Sequence, residues 1–367
     1  MSERLFYCGC APPSRDADRA KQLRLAGHTA NINRRIEDIE KRMIGEVPDH
    51  LCDLLDIATY VFIADRMISR GGRTLPNMGG DWHRRFRLVI AVREPDRWNR
   101  TEVKSALEEL VGFLSGDTFS FQFLKSDEPP AFPSRLPLRL GDAAQRRSDQ
   151  VLLFSGGLDS LAGAVEELSQ TDDRIVLASH RSSDQVFSRQ KALAAALSHR
   201  FPGRVVHVPV EITMRPGLRD VEFTQRTRTF LFSAIGCVVA EMMGCARIPF
   251  FENGIMSFNL PIAPQIIGSR ATRSTHPLAL RQMTEFANQV LGTPFEVANP
   301  FVWRTKAEIV RLIGQYGQAD LVAGSISCTH IRRPGQRTHC GECAQCLHRR
   351  LGILAAGPGR DGSTGRL

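Results

Sequence analysis

Val151-Leu152-Leu153-Phe154-Ser155-Gly156-Gly157-Leu158-Asp159-Ser160 is the stretch on which the reading of this chain turns. The four apolar residues form a short strand pattern, and Leu161, Val165 and Leu168 continue the apolar side at helical spacing. A strand therefore runs into a helix through a turn with two glycines. Glycine lets the backbone turn tightly and present N–H groups with no Cβ in the way. The helix start adds its orphan donors and the positive end of its dipole. Hydroxyls of Ser155 and Ser160 can donate to phosphate oxygens as well. The turn holds no lysine, so it is not a Walker A loop. A plain strand–turn–helix corner also favours Ser and Gly. The sharper reading is a phosphate loop made of Ser155, Gly156, Gly157, Leu158, Asp159 and Ser160.

Around this loop strand and helix patterns alternate. Val151–Phe154, Arg174–Ala178 and Val205–Val208 read as strands, with Arg247–Phe251 as a fourth. Leu158–Leu168, Val186–Arg200 and Thr227–Met243 read as the helices between them. That order predicts an α/β fold with a Rossmann-like parallel sheet and helices on both faces. Upstream, Ser126–Leu140 carries four prolines in a polar setting and reads as a linker, taken as 126–147. Residues 1–125 read as a separate α+β unit. Phe86, Leu88, Ile90 and Val92 alternate along one strand, and Phe119, Phe121 and Phe123 along another. A helix capped by Asn99 or Thr101 has the apolar face Val103, Leu107, Leu110, Val111 and Leu114. Leu51–Arg70 reads as a buried helix. This unit offers no spacing that implies chemistry, so its expected role is structural or partner-binding. Trp82, Arg84, Trp98 and Arg100 are its candidates for an interface. The division is then 148–327 for the phosphate-loop domain, 328–352 for a cysteine segment and 353–367 for a flexible tail.

Composition bounds the rest. The chain has 367 residues, 42% hydrophobic and 24% charged, in the ordinary range for a globular protein. Its most apolar run, Phe230 to Ala240, is too short to cross a bilayer, and no secretory pattern opens the chain. A cytoplasmic protein without membrane contact is expected. The net charge of +9 comes mostly from scattered arginines. These are read as serving phosphates and solvation, with nucleic acid as a less favoured partner. Nine cysteines, four at tight spacing, argue for metal ligation over disulfides. Cys237 and Cys245 fall in a helix and read as core. Cys328, Cys340, Cys343 and Cys346 have the pattern C-x11-C-x2-C-x2-C. Four soft ligands close a tetrahedron and leave no open position, which suits a structural Zn²⁺. His330, His339 or His348 could replace one sulfur, and an iron–sulfur cluster fits the same ligands. Further along the chain, Thr305 with Glu308 forms a capping box pattern ahead of Ile309, Leu312 and Ile313. Glu308 then reads as a cap before a catalytic acid. Lys306, in the first turn, opposes the helix dipole and is a functional candidate.

These residues carry a family resemblance. Ser155-Gly156-Gly157-Leu158-Asp159-Ser160 resembles the SGGxDS signature of PP-loop ATP pyrophosphatases. That implies ATP and Mg²⁺ as cofactors, attack on the α-phosphate, and release of pyrophosphate from an adenylate. Lys306-Ala307-Glu308, the approach to Cys328 and the string Cys340-Gly341-Glu342-Cys343-Ala344-Gln345-Cys346 resemble the QueC family, the 7-cyano-7-deazaguanine synthases, over about residues 148–352. The resemblance favours zinc at the four cysteines and implies activation of a deazaguanine acid. It implies catalytic roles for Asp159, Lys306 and Arg228, with Lys306 reaching the ATP phosphates. It also implies adenine contacts, mainly through backbone, at Ala178, Ser179 and His180. Two features depart from the family. The base-recognition stretch after the fourth strand lacks its usual aspartate, which leaves Glu252, Asn253 and Asn259 to meet a guanine-like edge. Arg273 and His276 are then candidates to hold a carboxylate or the adenylate. The second departure is the N-terminal unit. Together they resemble the QueC-like proteins of bacterial anti-phage cassettes of the Qat and type IV CBASS types, which implies a deazaguanine ligase acting on a protein encoded nearby. A conventional synthase, a tRNA-modifying PP-loop enzyme and a non-catalytic ATP-sensing subunit are the alternatives.

Overall fold

The structure is a computed structural model that describes residues 3–35, 47–70, 82–126, 150–222, 224–260, 272–328 and 339–357. All of the expected linker but Ser126, together with His330 and residues 358–367, lies outside these ranges.

The N-terminal region contains β1 (Arg4–Cys8), β2 (Lys21–Leu23), β3 (Ile32–Arg35), α1 (Asp49–Met67), β4 (Arg85–Val92), α2 (Pro95–Trp98), α3 (Thr101–Ser115) and β5 (Thr118–Lys125). Its sheet has the order β2-β1-β4-β5, with every pairing parallel. The alternation in the sequence sets which face is covered. Phe86, Leu88, Ile90 and Val92 are buried, and so are Phe119, Phe121 and Phe123 beside them. Val103, Leu107, Leu110, Val111 and Leu114 of α3 are buried as expected. Helix α1 is covered on all sides, with Leu51 to Arg66 buried throughout. A helix buried all round belongs between two layers, with its Asp53, Asp56, Asp65 and Arg66 paired, and α1 packs on α6 (Arg228–Met243) of the second sheet.

That second sheet uses β6 (Gln150–Leu153), β7 (Ile175–Arg181) and β8 (Val205–Met214), all parallel. Helix α4 (Leu158–Gln170) follows β6 and α5 (Asp184–Arg200) follows β7. After α6 come β9 (Arg247–Pro249), α7 (Gly254–Phe258), α8 (Pro277–Leu291) and β10 (Glu296–Ala298), with β9 and β10 paired in parallel. Helices α9 (Lys306–Gln315) and α10 (Ala344–Ala356) complete the chain. On one sheet face Leu152, Phe154, Ile175 and Leu177 pack with α4, α5 and α9. On the other, Val151, Leu153, Val176 and Ala178 join α1 and α6.

The division at residue 125 is not respected by the packing. Strand β3 pairs antiparallel with β8, Ile32 opposite Met214, so the first chain segment supplies an edge of the second sheet. One core runs from Phe6 and Phe86 through α1 to Val151 and Val176. Buried charges clamp the same seam. Arg84 Nη2 donates to Asp65 Oδ1 at 2.5 Å and to Asp117 Oδ2 at 2.6 Å. Thr227, just before α6, donates through N and Oγ1 to Asp65. Two of the expected interface residues are therefore core. Arg84 sits in this network, and Trp98 is fully buried with its indole N–H on Asp53. Arg100 is exposed and donates to Gln289 O, while the Arg70 and Arg226 guanidiniums lie over the Trp82 ring.

Many arginines are spent on such pairs, Arg34 with Asp56, Arg93 with Asp53 and Arg66 with Asp220 among them. Helix α10 continues to Ala356, past residue 352, where a tail was expected. The reason is a cap in trans: Arg311 of α9 donates to the Ala355 and Ala356 carbonyls, the orphan acceptors of that helix end. Among the described residues no helix is long and apolar enough to cross a membrane.

Candidate active site

β6 is the edge strand of its sheet, paired with β7, and it also lies against β9 of the β9–β10 pair, so the chain leaves β6 toward β7 and later returns beside it. In open α/β sheets that reversal opens a crevice beyond the carboxyl ends of the strands. The loop after β6 and the Glu252-Asn253 turn after β9 both lie there.

The loop is braced from two sides. Gly156 has φ +79°, a conformation that favours glycine, and a Cβ there would meet Gln190 Cγ at 3.0 Å. Gln190 of α5 donates to Ser155 O at 3.2 Å and His180 O at 3.3 Å. From the other side Ile326 N donates to Gly156 O at 2.9 Å. Ser155 is exposed, and its Oγ lies 3.1 Å from Ser160 Oγ. Helix α4 begins after Gly157 with no side-chain cap, so its first-turn N–H groups remain available to an anion.

Asp159, in the first turn of α4, is buried at 7% exposure. Lys306 Nζ donates to both of its oxygens, at 2.6 and 2.7 Å. Asn253 donates to Oδ2 through Nδ2 at 2.9 Å and through its backbone N at 3.2 Å. Lys306 was expected to reach ATP phosphates. Here its ammonium is turned onto Asp159, because its stem is held beneath α10: a Cβ on Gly352 would meet Lys306 Cγ at 2.4 Å. The capping box is present, with Thr305 and Glu308 exchanging bonds at the start of α9. Glu308 is therefore occupied as a cap.

A second polar layer continues from Asn253. Asn299, after β10, donates to Glu252 O at 2.8 Å and to Ser257 Oγ at 2.8 Å. Thr275 Oγ1 donates to Glu252 Oε2 at 2.6 Å. Burial pushes the Glu252 carboxyl up, and the Asp159 charge adds to it, while the Thr275 bond and Lys306 oppose them. Asn253 also caps α7 by accepting from Met256 N.

The other expected site residues divide. Ser179 and His180 face opposite sides of β7 with their side chains engaged. Ser179 Oγ donates to Phe154 O at 2.6 Å, and His180 is buried edge-on to Phe62 of α1. Arg228 is the first residue of α6 and half-buried. Asn259 ends α7 at φ +41° and donates to Thr272 O. Arg273 and His276 already hold contacts within the chain. Arg273 donates to Phe113 O at 2.7 Å with its guanidinium 4.7 Å from that ring, and His276 accepts from Leu278 N as the cap of α8. Both anchor α8 to the N-terminal region.

The four cysteines converge, with all sulfurs within 4.8 Å of one another. Cys343 N donates to Cys340 Sγ and Cys346 N to Cys343 Sγ, both at 3.4 Å, so the backbone already presents its donors to sulfur. Burial, followed by the neighbouring thiols, pushes the Cys346 thiol up to about 12. Thiolates gather in such a place when a divalent cation compensates them. The donor set fits a closed zinc site. His339 is not among the converging ligands, and its Nε2 accepts from Ser327 N.

The metal corner reaches the loop through three links. Arg349 on α10 donates to Ser325 Oγ at 2.7 Å, to Val322 O at 2.6 Å and to Ser327 Oγ at 3.4 Å. Between Ser325 and Ser327 lies Ile326, whose N–H holds Gly156 O. Gln190, Asn299, Arg349 and Gly352 were not singled out from sequence. Asn299 had a signal: like Asn253 it is an amide just beyond the carboxyl end of a parallel strand. Gln190 had none, being one polar residue on a largely polar helix.

No curated protein matches the chain. Residues 272–357, which carry Lys306, Arg349, Gly352 and all four cysteines, match the family model described as Queuosine biosynthesis protein QueC, and over that segment the chain is QueC-like.

Proposed function

We propose that this protein cleaves ATP between the α- and β-phosphates to activate a 7-deazaguanine-type acid, and then joins the acyl group to an amine. The observation that carries the reading is the Lys306–Asp159 bond. It joins the SGGLDS loop, which lies outside the QueC-matched segment, to the matched segment itself. Two sequence features read separately as phosphate-binding and family-like thus meet in one crevice.

The chemistry assigns each residue a task. A substrate carboxylate oxygen attacks the α-phosphorus, forming the acyl adenylate as the P–O bond to pyrophosphate breaks. The exposed Ser155 hydroxyl and the first N–H groups of α4 receive the departing pyrophosphate, with Mg²⁺ accompanying ATP. Asp159 and Lys306 hold the start of α4 and α9 in register, and the ammonium is placed to move onto phosphate oxygens when ATP enters. Zinc would be held by Cys328, Cys340, Cys343 and Cys346, supplying a rigid anchor for Arg349. An attacking amine then displaces AMP and leaves a C–N bond.

The acceptor is a protein amine in anti-phage defence, a reading supported by the added N-terminal sheet. The burial of Arg84 and Trp98 favours a second reading, in which that sheet is structural and ammonia is the acceptor. The test incubates the protein with ATP, 7-carboxy-7-deazaguanine and either ammonia or proteins encoded beside it. AMP formation with a partner gaining one deazaguanine acyl mass supports the ligase. Free nitrile with every partner unmodified supports the synthase, and no AMP under any condition refutes both.

A further inference from the structure

The outer face of the N-terminal sheet is used by nothing described above. All-parallel sheets are nearly always covered on both faces. Here Phe86, Leu88, Phe121 and Phe123 face the core, so their neighbours Arg85, Arg87, Gln122 and Leu124 point the other way and are exposed. The stretch between β1 and β2 crosses this face near β1, where Cys10 and Ala20 pack on Leu5, Tyr7 and Val89. Tyr7 pins that stretch by donating its hydroxyl to Asp16 Oδ2 at 2.8 Å. Between the stretch and β5 lies a cavity of about 740 Å³.

The lining of this cavity is one-sided in charge. Leu5, Val89, Pro13 and Leu124 supply apolar surface, and Arg15, Arg19 and Arg87 stand around it. Asp16 is the single carboxylate of the lining among the described residues, and it is already taken by Tyr7 and by Arg19 Nε at 2.9 Å. The Arg15 side chain is 85% exposed, and Arg87 has no ion pair among the described residues. The buried arginines Arg34, Arg70, Arg84 and Arg93 are instead each matched to an aspartate. The free edge of β5 offers no second way in. Glu108 accepts from Phe121 N there at 3.1 Å, and Asn99 Nδ2 donates to Phe123 O at 2.9 Å.

We infer that this face is a docking groove for an acidic segment of a partner protein, an extended peptide with carboxylates on either side of an apolar side chain. The apolar side chain enters the cavity over Leu5 and Val89, and the carboxylates pair with the Arg15 and Arg87 guanidiniums, which suit them in a bidentate way. Nucleic acid fits this face less well. Unpaired bases are held by stacking on open rings, and Tyr7, the aromatic residue of the lining, is 7% exposed with its hydroxyl on Asp16. The inference concerns docking and stands apart from the deazaguanine reading. It gives the added sheet two unlike sides, with Arg84 and Trp98 in the core behind it and the groove in front.

The experiment uses the full chain and fluorescence anisotropy at physiological salt. The labelled probes are Glu-Glu-Leu-Glu-Glu, its glycine-centred and all-lysine counterparts, and a short oligothymidine. Wild type is compared with Arg87→Glu, Arg15→Glu and, as a charge control on α8, Arg281→Glu, with melting curves for each. Wild type is expected to bind the leucine-centred acidic peptide, the glycine-centred one more weakly and the lysine one not at all. Arg87→Glu and Arg15→Glu should each weaken the first by about tenfold or more, because a like charge then faces the peptide. Arg281→Glu should bind as wild type does, and all melting temperatures should hold. No binding of either acidic peptide, or equal binding in all variants, overturns the inference. Equal affinity for the leucine and glycine peptides overturns it too, by showing diffuse charge alone. Tighter, Arg87-dependent binding of the oligothymidine would transfer the face to nucleic acid, and a wild-type dimer that Arg87→Glu dissolves would transfer it to a second copy. Peptide binding that appears only after Asp127→Lys and Glu128→Lys would give the groove to the chain's own acidic stretch and refute the partner.

Discussion

Two buried charge clusters in this molecule look alike in composition and differ in use. At the N-terminal seam Asp117 is ringed by Arg70 and Arg84. It takes Arg70 Nη1 and Nη2 at 3.0 and 2.6 Å and Arg84 N, Nε and Nη2 at 2.8, 3.2 and 2.6 Å. In the crevice Asp159 is held by one lysine and one asparagine, beside an exposed serine and an uncapped helix start. Buried charge alone therefore does not mark a site. At the seam every lone pair of Asp117 is used, while the crevice keeps donors in reserve. A functional reading belongs where unused donors are also open to a ligand, as at the exposed Ser155 and the uncapped helix start.

Several outcomes would sharpen or break that contrast. The largest effect concerns the metal that supports the crevice. Structural zinc contributes folding free energy, with apparent values of about 10–16 kcal/mol in small zinc peptides, and part of that scale applies to an anchor on one corner. Cys343→Ser is expected to remove about one zinc per chain and lower the melting temperature sharply, read by metal analysis and calorimetry. Well-folded protein with no metal in wild type would break the closed-site argument.

Next come the two aspartates. Breaking a buried pair by removing one partner costs about 3–5 kcal/mol. Asp117→Ala should therefore destabilise strongly in denaturant titrations while any surviving folded fraction turns over at the wild-type rate. Asp159→Asn keeps the shape, loses the charge, and should lower turnover far more than stability. If the two variants behaved alike, the distinction between seam and site would fall.

Gly352→Ala should have a smaller effect. Alanine gains about 1 kcal/mol of helix propensity over glycine. The added Cβ meets the Lys306 stem at 2.4 Å, and overpacking of that kind costs about 1–3 kcal/mol. The net expectation is a modest loss of stability with a larger loss of turnover as Lys306 is displaced from Asp159.

The smallest effect is on pH dependence. Burial raises the Asp117 carboxyl, but Arg84 and Arg70 more than offset it and leave the group below its ordinary value of 3.8. A depressed carboxylate contributes stability above its unfolded pKa of about 3.9, and loses it as pH falls through the folded value. Thermal melts should weaken below about pH 4, and Asp117→Asn should flatten that fall.

Local periodicity made much of this fold legible. The Phe86–Val92 alternation and the Val103–Leu114 stripe each describe one element whose buried side is written in its own spacing. The strand–SGGLDS–helix string and the cysteine spacing were legible for the same reason, since loop and ligands are local. What was missed is non-local. The pairing of Ile32 with Met214 has no trace in either stretch, and the three-residue strands β2 and β10 are too short to show a period. Arg273 and His276 have the residue types of a ligand site, and nothing in the sequence signalled that both would also contact Phe113, far away in the chain. Lys306 was flagged by its place in a helix's first turn, and only the fold could show that Asp159 is its partner.

The central claim is that the loop and the Lys306 helix form one ATP-cleaving site, and product analysis tests it most directly. Protein is incubated with ATP, 7-carboxy-7-deazaguanine and ammonia as the amine, and nucleotides are separated over time for wild type, Ser155→Ala, Asp159→Ala and Lys306→Ala. The account predicts AMP and pyrophosphate in equal amounts from wild type. Each variant should be slower by about a hundredfold or more, on the scale of about 3 kcal/mol for losing one key electrostatic donor. Release of ADP and phosphate, or AMP formation unchanged in all three variants, would contradict it.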